Sequence, residues 1–326
     1  MDVGVRNWPK VQRYARFRAG ALLAEKGIRR LPSRTPRPLS PESMEQVTER
    51  KLSDIIERIA EEAGARAVAV SVYDYQSERA FSHHGDEWFH AASTIKVPVL
   101  IGVFAAVEAS LLDINARVQV RNRFLSVADG SAYRVESSRD AGGSVHAQIG
   151  KTMRVRDLAR QMIVTSSNLA TNLLIDVIGI DELRAALDRL GSEGIELVRG
   201  VEDDAAFDQG INNRVSADGL VGALRLIEEG ALSTSSSDEM LDILHAQEFR
   251  SGIPAGLPDD ARVANKTGEI STMAHDAGLV YLPDREPYAV AILTAWPPSA
   301  TYGRRATLAA LSRAVYRHVV GADDDA

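Results

Sequence analysis

The sequence predicts an α+β fold: a five-stranded antiparallel sheet assembled from both ends of the chain, flanked by helices as an α/β sandwich, with an all-helical lobe inserted between its strands. Three observations predict it. Strand-type segments fall into two groups, one before residue 84 and one after residue 261. The stretch between them carries mainly helical periodicity, with glycines at its stops. A helical segment stands outside each strand group, placed to cover the sheet.

The elements follow in order. Arg34-Thr35-Pro36-Arg37-Pro38 reads as a linker, and Ser40 caps a helix with Pro41 in its first position. Met44, Val47, Leu52, Ile55, Ile56 and Ile59 give that helix one apolar face, and Gly64 stops it. Residues 66–73 form a strand in which Val68, Val70 and Val72 alternate, and a turn near Asp74 leads to a second strand at Glu78 to His83. Helical segments follow at 93–111, 155–164, 169–178, 182–190, 217–229 and 237–247, with Gly179, Gly191 and Gly230 at or past three of their ends. Loops occupy about 121–150 and 193–215. Strands return at 262–267, 274–282 and 288–296, the last two joined by a Pro283-Asp284 turn. A final helix runs from Arg304 to Val320. The expected organisation is a basic extension and linker at 1–39, a folded domain at 40–320 and an acidic tail at 321–326. Within the domain, residues 40–92 and 255–320 make the sheet lobe and 93–254 the helical lobe, with a ligand cleft between them.

Composition excludes several function classes. The 326 residues are 45% hydrophobic and 25% charged, ordinary values for a globular chain able to bury a large core. No apolar run approaches the ~18 residues of a membrane span. There is no cysteine, so disulfides, thiolate chemistry and cysteine zinc sites are out, and redox compartment is unreadable. Residues 1–38 carry a net charge of +8 and the remainder −15, and so acidic a body makes nucleic acid a poor partner. No secretory signal is legible at the N-terminus, which reads as cytoplasmic taken as written. Val11, Tyr14, Phe17, Ala21 and Leu22 share one face of a basic amphipathic segment, which fits weak contact with a membrane surface or partner. An untethered extension or an early start codon is the simpler reading.

Three short motifs carry chemistry: Ser93-Thr94-Ile95-Lys96, Ser166-Ser167-Asn168 and Lys266-Thr267-Gly268. Ser93 and Lys96, three apart at a helix start, share a face. A serine hydroxyl needs a base, and a lysine serves only if burial or nearby positive charge lowers its pKa. Lys266 could supply that charge, and the Ser93 N–H is a natural oxyanion donor. Alone, this motif also describes a capping serine and a solvated lysine. Pro98 makes a regular first helical turn less certain. Ser166 and Asn168, between two helical stretches, either aim into a cleft or make a polar turn. Lys266 and Thr267, at a strand end, suit a carboxylate, and Gly268 lets a substrate backbone approach.

Together the three motifs resemble the S-x-x-K, S-D-N and K-T-G set of the class A β-lactamases and penicillin-binding proteins, over about residues 40–320. Ala91-Ala92-Ser93-Thr94-Ile95-Lys96 and Ser166-Ser167-Asn168-Leu169-Ala170-Thr171-Asn172-Leu173-Leu174 are similar to class A sequence around the motifs as well. The resemblance implies that Ser93 is acylated, Lys96 helps activate it and Ser166 relays a proton to the leaving nitrogen. It implies that Asn168 contacts the substrate side-chain amide and Lys96, that Lys266 and Thr267 hold the substrate carboxylate, and that the Glu269 backbone gives a second oxyanion N–H. The family usually works outside the cytoplasm, in the periplasm or secreted.

The sequence also departs from the family. The middle motif is Ser-Ser-Asn, and residues 121–150 form an insertion in which Phe124, Tyr133 and His146 either shape substrate access or pack the loop. In the loop Arg199 to Asn213, Arg199 matches the family's anchoring arginine, but Asn213 stands where its aspartate partner is expected. Glu202 is the best candidate for a deacylating base, one position out of register, and Asp203 is the second. His275 stands near the family's carboxylate-binding arginine and either substitutes for it or pairs with Asp276.

The reading is a serine β-lactamase acting through a Ser93 acyl-enzyme on a small-molecule lactam, expected to be a monomer and to need no cofactor. A D-alanyl-D-alanine carboxypeptidase or small-ester hydrolase is the alternative enzyme, and a penicillin-binding sensor that acylates without turnover the alternative binder. Other chemistries fail on spacing. Gly150-Lys151-Thr152 lacks the first glycine of a phosphate loop, and there is no Gly-x-Ser-x-Gly elbow. His83 and His84 are adjacent, and adjacent strand residues point to opposite faces, so no metal site is expected.

Overall fold

The structure, a computed structural model, describes residues 41–141, 143–300 and 302–322, with side chains from Thr48 onward. The basic arm and linker, the Ser40 cap, the Met44 and Val47 side chains and the acidic tail beyond 322 lie outside the described residues.

Five strands form the main sheet: β1 (Ala67–Asp74), β2 (Arg79–His83), β3 (Arg262–Ile270), β4 (Met273–Tyr281) and β5 (Tyr288–Ala295). Their order is β3-β4-β5-β1-β2, antiparallel throughout. The two ends of the chain therefore meet at β1 and β5, where Val70 faces Ile292. Central strands are buried on both faces, so their alternation sorts residues between two cores. Val68, Val70 and Val72 point to Leu52 and Ile56 of α1 (Pro41–Ala63) and to Leu308, Leu311 and Val315 of the C-terminal helix (Arg304–Val320). Ala69, Ala291 and Leu293 point the other way, into a larger core shared with the helical segment.

That segment contains α2 (Lys96–Glu108), α3 (Val155–Val164), α4 (Asn168–Ile178), α5 (Ile180–Arg189), α6 (Asp204–Asp208), α7 (Ala217–Glu228) and α8 (Thr234–His245). Val103, Leu158, Leu173 and Leu220, one from each of α2, α3, α4 and α7, are completely or almost completely buried in one cluster with the sheet residues. Burying such side chains contributes roughly 1.5–3 kcal/mol each. The apolar helix α2 is thereby fixed at the centre, and its N-terminus opens beside β3.

One expectation fails at the edge of the sheet. His83 ends β2, but His84 has φ 51°, which turns its side chain back onto that of His83. The ring centroids are 4.4 Å apart. The opposite-faces rule holds only within a strand, and β2 stops one residue too soon for it.

Candidate active site

Ser93 lies in a 3-10 turn, Ala92–Ile95, that leads into α2. The helix expected over 93–111 is thus tighter at its start and ends at Glu108. Pro98 is the third residue of α2, within the first turn, where amides lack regular intrahelical acceptors. Three non-glycine residues at the site adopt left-handed backbone: Ala92 (φ 45°), Ser166 (φ 58°) and Glu202 (φ 58°). Such conformations cost of order 1–3 kcal/mol each and persist only where the surroundings fix them.

The first two motifs converge on the Lys96 amine. It lies 3.0 Å from Ser93 Oγ, 3.1 Å from Ser166 Oγ, 2.7 Å from the Ser166 carbonyl and 2.7 Å from Asn168 Oδ1. Lys96 is completely buried, and burial pushes its pKa down to about 7, although Asp140 and then Glu202 pull it upward. The two carbonyl oxygens can only accept, so they take two N–H groups. A neutral amine then has its lone pair left for a serine O–H.

The third motif borders the same turn. Ser93, Ser166, Asn168, Thr267, Gly268 and Glu269 line one cavity. A Cβ on Gly268 would stand 3.0 Å from both the Ser93 and Thr94 nitrogens. Gly268 is therefore required by the approach of the protein's own nucleophile turn, where the sequence suggested a substrate backbone. Lys266 is completely buried and donates to the Thr267 carbonyl at 2.7 Å. Burial, then the charge of Lys96, lowers its pKa, while Asp276 raises it. The Glu269 side chain is held by Arg304 (3.1 Å) and Arg305 (2.8 Å) of the C-terminal helix.

A second cavity, on the other side of Ser93, is bordered by Asn168, Arg199, Glu202 and Phe207. Glu202 Oε1 accepts from Asn168 Nδ2 at 2.7 Å and Oε2 from the Glu136 amide at 3.0 Å. Asn168 thus joins the Lys96 amine to the Glu202 carboxylate through the two ends of one amide. Asn172 grips the preceding residue, with Val201 N donating to its Oδ1 (2.8 Å) and its Nδ2 donating to Val201 O (2.9 Å). Asp203, the second candidate base, is not among the residues bordering this cavity: it is 1% exposed, caps α6 through the Ala206 amide and accepts from Val127 N. The Arg199 anchor also differs from expectation. Its guanidinium bonds Asn212 Oδ1 and the Ile211 and Gly200 carbonyls, while Asn213 binds the Val198 and Arg199 backbone.

His275 is no carboxylate ligand. One ring nitrogen meets the His90 carbonyl at 3.0 Å, and the other accepts from the Thr294 amide at 3.2 Å. Burial lowers its pKa to about 4, so the ring is neutral. It does not pair with Asp276 either, whose carboxylate takes Asn265 Nδ2 and the Ile253 amide. Arg305, an exposed cation, also borders the first cavity. Phe124 is buried, Tyr133 bonds Asn172 and His146 bonds Asp140, so these three pack the insertion instead of lining the cleft.

What the insertion contributes is Asp140. Its Oδ2 accepts from Ser167 Oγ (3.1 Å) and Leu169 N (3.1 Å), and its Oδ1 from Asn168 N (2.9 Å). The motif that lacks its own aspartate is thus held by a carboxylate from 27 residues upstream. No local pattern marks that pairing. Arg139, beside it, borders both cavities and reaches Asp204 (3.0 Å) and Glu202 (3.8 Å).

Comparison with known proteins agrees with this geometry. A model of the beta-lactamase enzyme family matches residues 50–319. The chain is 29% identical over 203 residues to beta-lactamase L2 of Stenotrophomonas maltophilia, covering 61% of this chain and 63% of that protein, so the match spans less than two thirds of that relative. It is 25% identical over 249 residues to a beta-lactamase of Bacillus licheniformis, covering 75% of this chain and 76% of the other. Among solved structures, an ancestral class A beta-lactamase superposes with TM-score 0.70 at 26% identity, covering 82% of this chain and 99% of that one. A PBP-A mutant solved as an acyl-enzyme with penicillin G gives 0.68 at 26%, covering 83% and 96%. With the family model spanning the sheet, the helical insert and all three motifs, the chain belongs to the beta-lactamase enzyme family.

Proposed function

We propose that this chain is a serine β-lactamase working at the seam of a sheet lobe (40–92 and 255–320) and a helical lobe (93–254), as a monomer. Neutral Lys96 takes the Ser93 proton as Oγ attacks the lactam carbonyl carbon. The Ser93 and Glu269 backbone N–H groups donate to the developing oxyanion. Ser166 Oγ delivers a proton to the ring nitrogen as the C–N bond breaks and takes in its place the proton held by Lys96, 3.1 Å away, which leaves an ester on Ser93 and a neutral Lys96. Glu202 then removes a proton from water as the oxygen attacks the ester carbonyl, and that proton passes on to Ser93 Oγ as the ester C–O bond breaks, restoring both the carboxylate and the hydroxyl. Thr267, Lys266 and Arg305 receive the substrate carboxylate, and Asn168 its side-chain amide. The observation that carries this reading is the Glu202 carboxylate, with a 5% exposed side chain, in a cavity that Ser93 also lines. Each of its oxygens keeps a lone pair for water.

Hydrolysis of a chromogenic cephalosporin with the initial burst resolved tests it. Sustained turnover is expected. A burst of one equivalent followed by a stall would move the protein to the penicillin-binding sensor or D-alanyl-D-alanine peptidase reading. Neither burst nor turnover would point to a different ester or amide.

Asp140 gives a second test. Acylation kcat/KM should rise with pH up to about 7 and level off, because only neutral Lys96 acts as base. Besides Asp140, the groups facing Lys96 are Ser93, Ser166, Asn168, Glu202 and Lys266. Asp140→Asn removes a carboxylate that raises the Lys96 pKa, so the limb moves to lower pH. It also removes charged hydrogen bonds worth about 1.5–3 kcal/mol each, so the plateau falls roughly 10- to 100-fold. Ser167→Asp in the same chain restores most of the plateau. A plateau loss without a shifted limb would limit Asp140 to holding the loop.

A further inference from the structure

We infer that Glu57, His83 and His84 form a binding site for one zinc-class divalent ion, remote from the cleft, that ties α1 to the end of β2.

Glu57 Oε1 lies 3.0 Å from His83 Nε2 and 3.4 Å from His84 Nε2. One ligand atom from each of the three residues falls within 4.8 Å of the others. In a tetrahedral site with bonds of about 2.0–2.1 Å to nitrogen and oxygen, donor atoms stand roughly 3.3 Å apart, close to the two distances from Glu57 Oε1 to the imidazole nitrogens. The ligand set is two imidazoles and a carboxylate, the borderline chemistry that suits zinc. Calcium and magnesium prefer all-oxygen sites, and Cu(I) prefers sulfur. Two neutral imidazoles and the Glu57 and Glu87 carboxylates together balance a divalent charge.

The hydrogen bonds of His84 strengthen the case. Its Nδ1 lies 3.0 Å from Glu87 Oε1, so the Nδ1 proton belongs to that contact. A neutral His84 therefore turns a bare Nε2 lone pair toward the Glu57 carboxylate. Two lone pairs at 3.4 Å repel unless a cation lies between them. That cation is either a proton, making His84 an imidazolium, or a metal. A carboxylate on the far nitrogen is the usual outer partner of a metal-bound histidine. The backbone agrees, since φ 51° at His84 brings two adjacent imidazoles to the same side, which a continuing strand forbids.

Titration of the EDTA-treated full chain with zinc chloride tests the site by calorimetry and thermal melting. One equivalent is expected to bind. Saturation at about a hundredfold excess over Kd should raise Tm by roughly 5 °C. His84→Asn, a residue that tolerates the left-handed backbone, and Glu57→Gln should each weaken binding at least about tenfold and abolish the Tm shift. Both side chains are half-exposed, so both variants should melt within about 2 °C of the native chain in EDTA. Equal binding by native and variant chains would place the zinc elsewhere and overturn the assignment. Failure to bind below about 100 μM, or a His84 NMR titration that zinc leaves unmoved, would establish an imidazolium pair in its place.

Discussion

Glu202→Gln is expected to leave a protein that acylates and then stops. The amide keeps the shape of the side chain but cannot take a proton from water, and general-base catalysis is typically worth about 10²- to 10⁴-fold. Deacylation should fall by that factor. Acylation should change far less, because its base is Lys96. The secondary effect has a definite sign: Glu202 raises the Lys96 pKa, so its loss moves the acidic limb of acylation to lower pH. Glutamine also turns an N–H toward either Asn168 Nδ2 or the Glu136 amide, both donors now bonded to the carboxylate. One clash follows, so a loss of one or two kcal/mol in stability should accompany the kinetic change. Rapid-quench mass spectrometry measures both rates. Equal losses in acylation and deacylation would remove Glu202 from the water-activating role.

Ser93→Ala should abolish covalent labelling by penicillin and lower turnover by about 10⁴-fold or more, since no other group can form the ester. The fold should be preserved. Ser93 is only partly buried, and the 3-10 turn is set by the Ala92 backbone and by Thr94, whose hydroxyl donates to the Ala91 carbonyl at 2.6 Å. Removing the hydroxyl leaves Lys96 with Asn168 and Ser166, so the buried amine keeps partners. An unchanged melting temperature with no mass increment is the expected pair of results. A surviving increment on any other serine would displace the mechanism.

Much of this was legible because it depends on local order. The paired strand groups, the helical insert and the three motifs are written in contiguous residues, and the sheet and the Lys96 network follow from them. What escaped depends on residues distant in sequence or on single backbone angles. The carboxylate that serves Ser167 comes from the insertion, where the motif itself offers no hint. The choice between Glu202 and Asp203 turns on which carboxylate caps α6, a matter of one residue in a left-handed conformation. His275 could be read either as a stand-in for an arginine or as a partner of Asp276, and the contacts that decide, to the His90 carbonyl and the Thr294 amide, come from residues distant or cross-strand. His84 looked opposed to His83 because alternation was assumed to continue where the strand had ended.

The sheet has a consequence for how the protein is made. The inner strand β1 has β2 as an early neighbour, but its other edge must wait for β5, more than 210 residues later. On a ribosome adding about 5–20 residues per second, β1 waits roughly 10 to 40 seconds with that edge unpaired. A Val-rich strand so exposed invites pairing with other chains. The helical insert emerges in that interval, and its contacts are closer in sequence and faster to form. Helical segments that collapse early onto the Ala69 side of β1 would shelter one face of the strand until residues 288–295 leave the exit tunnel.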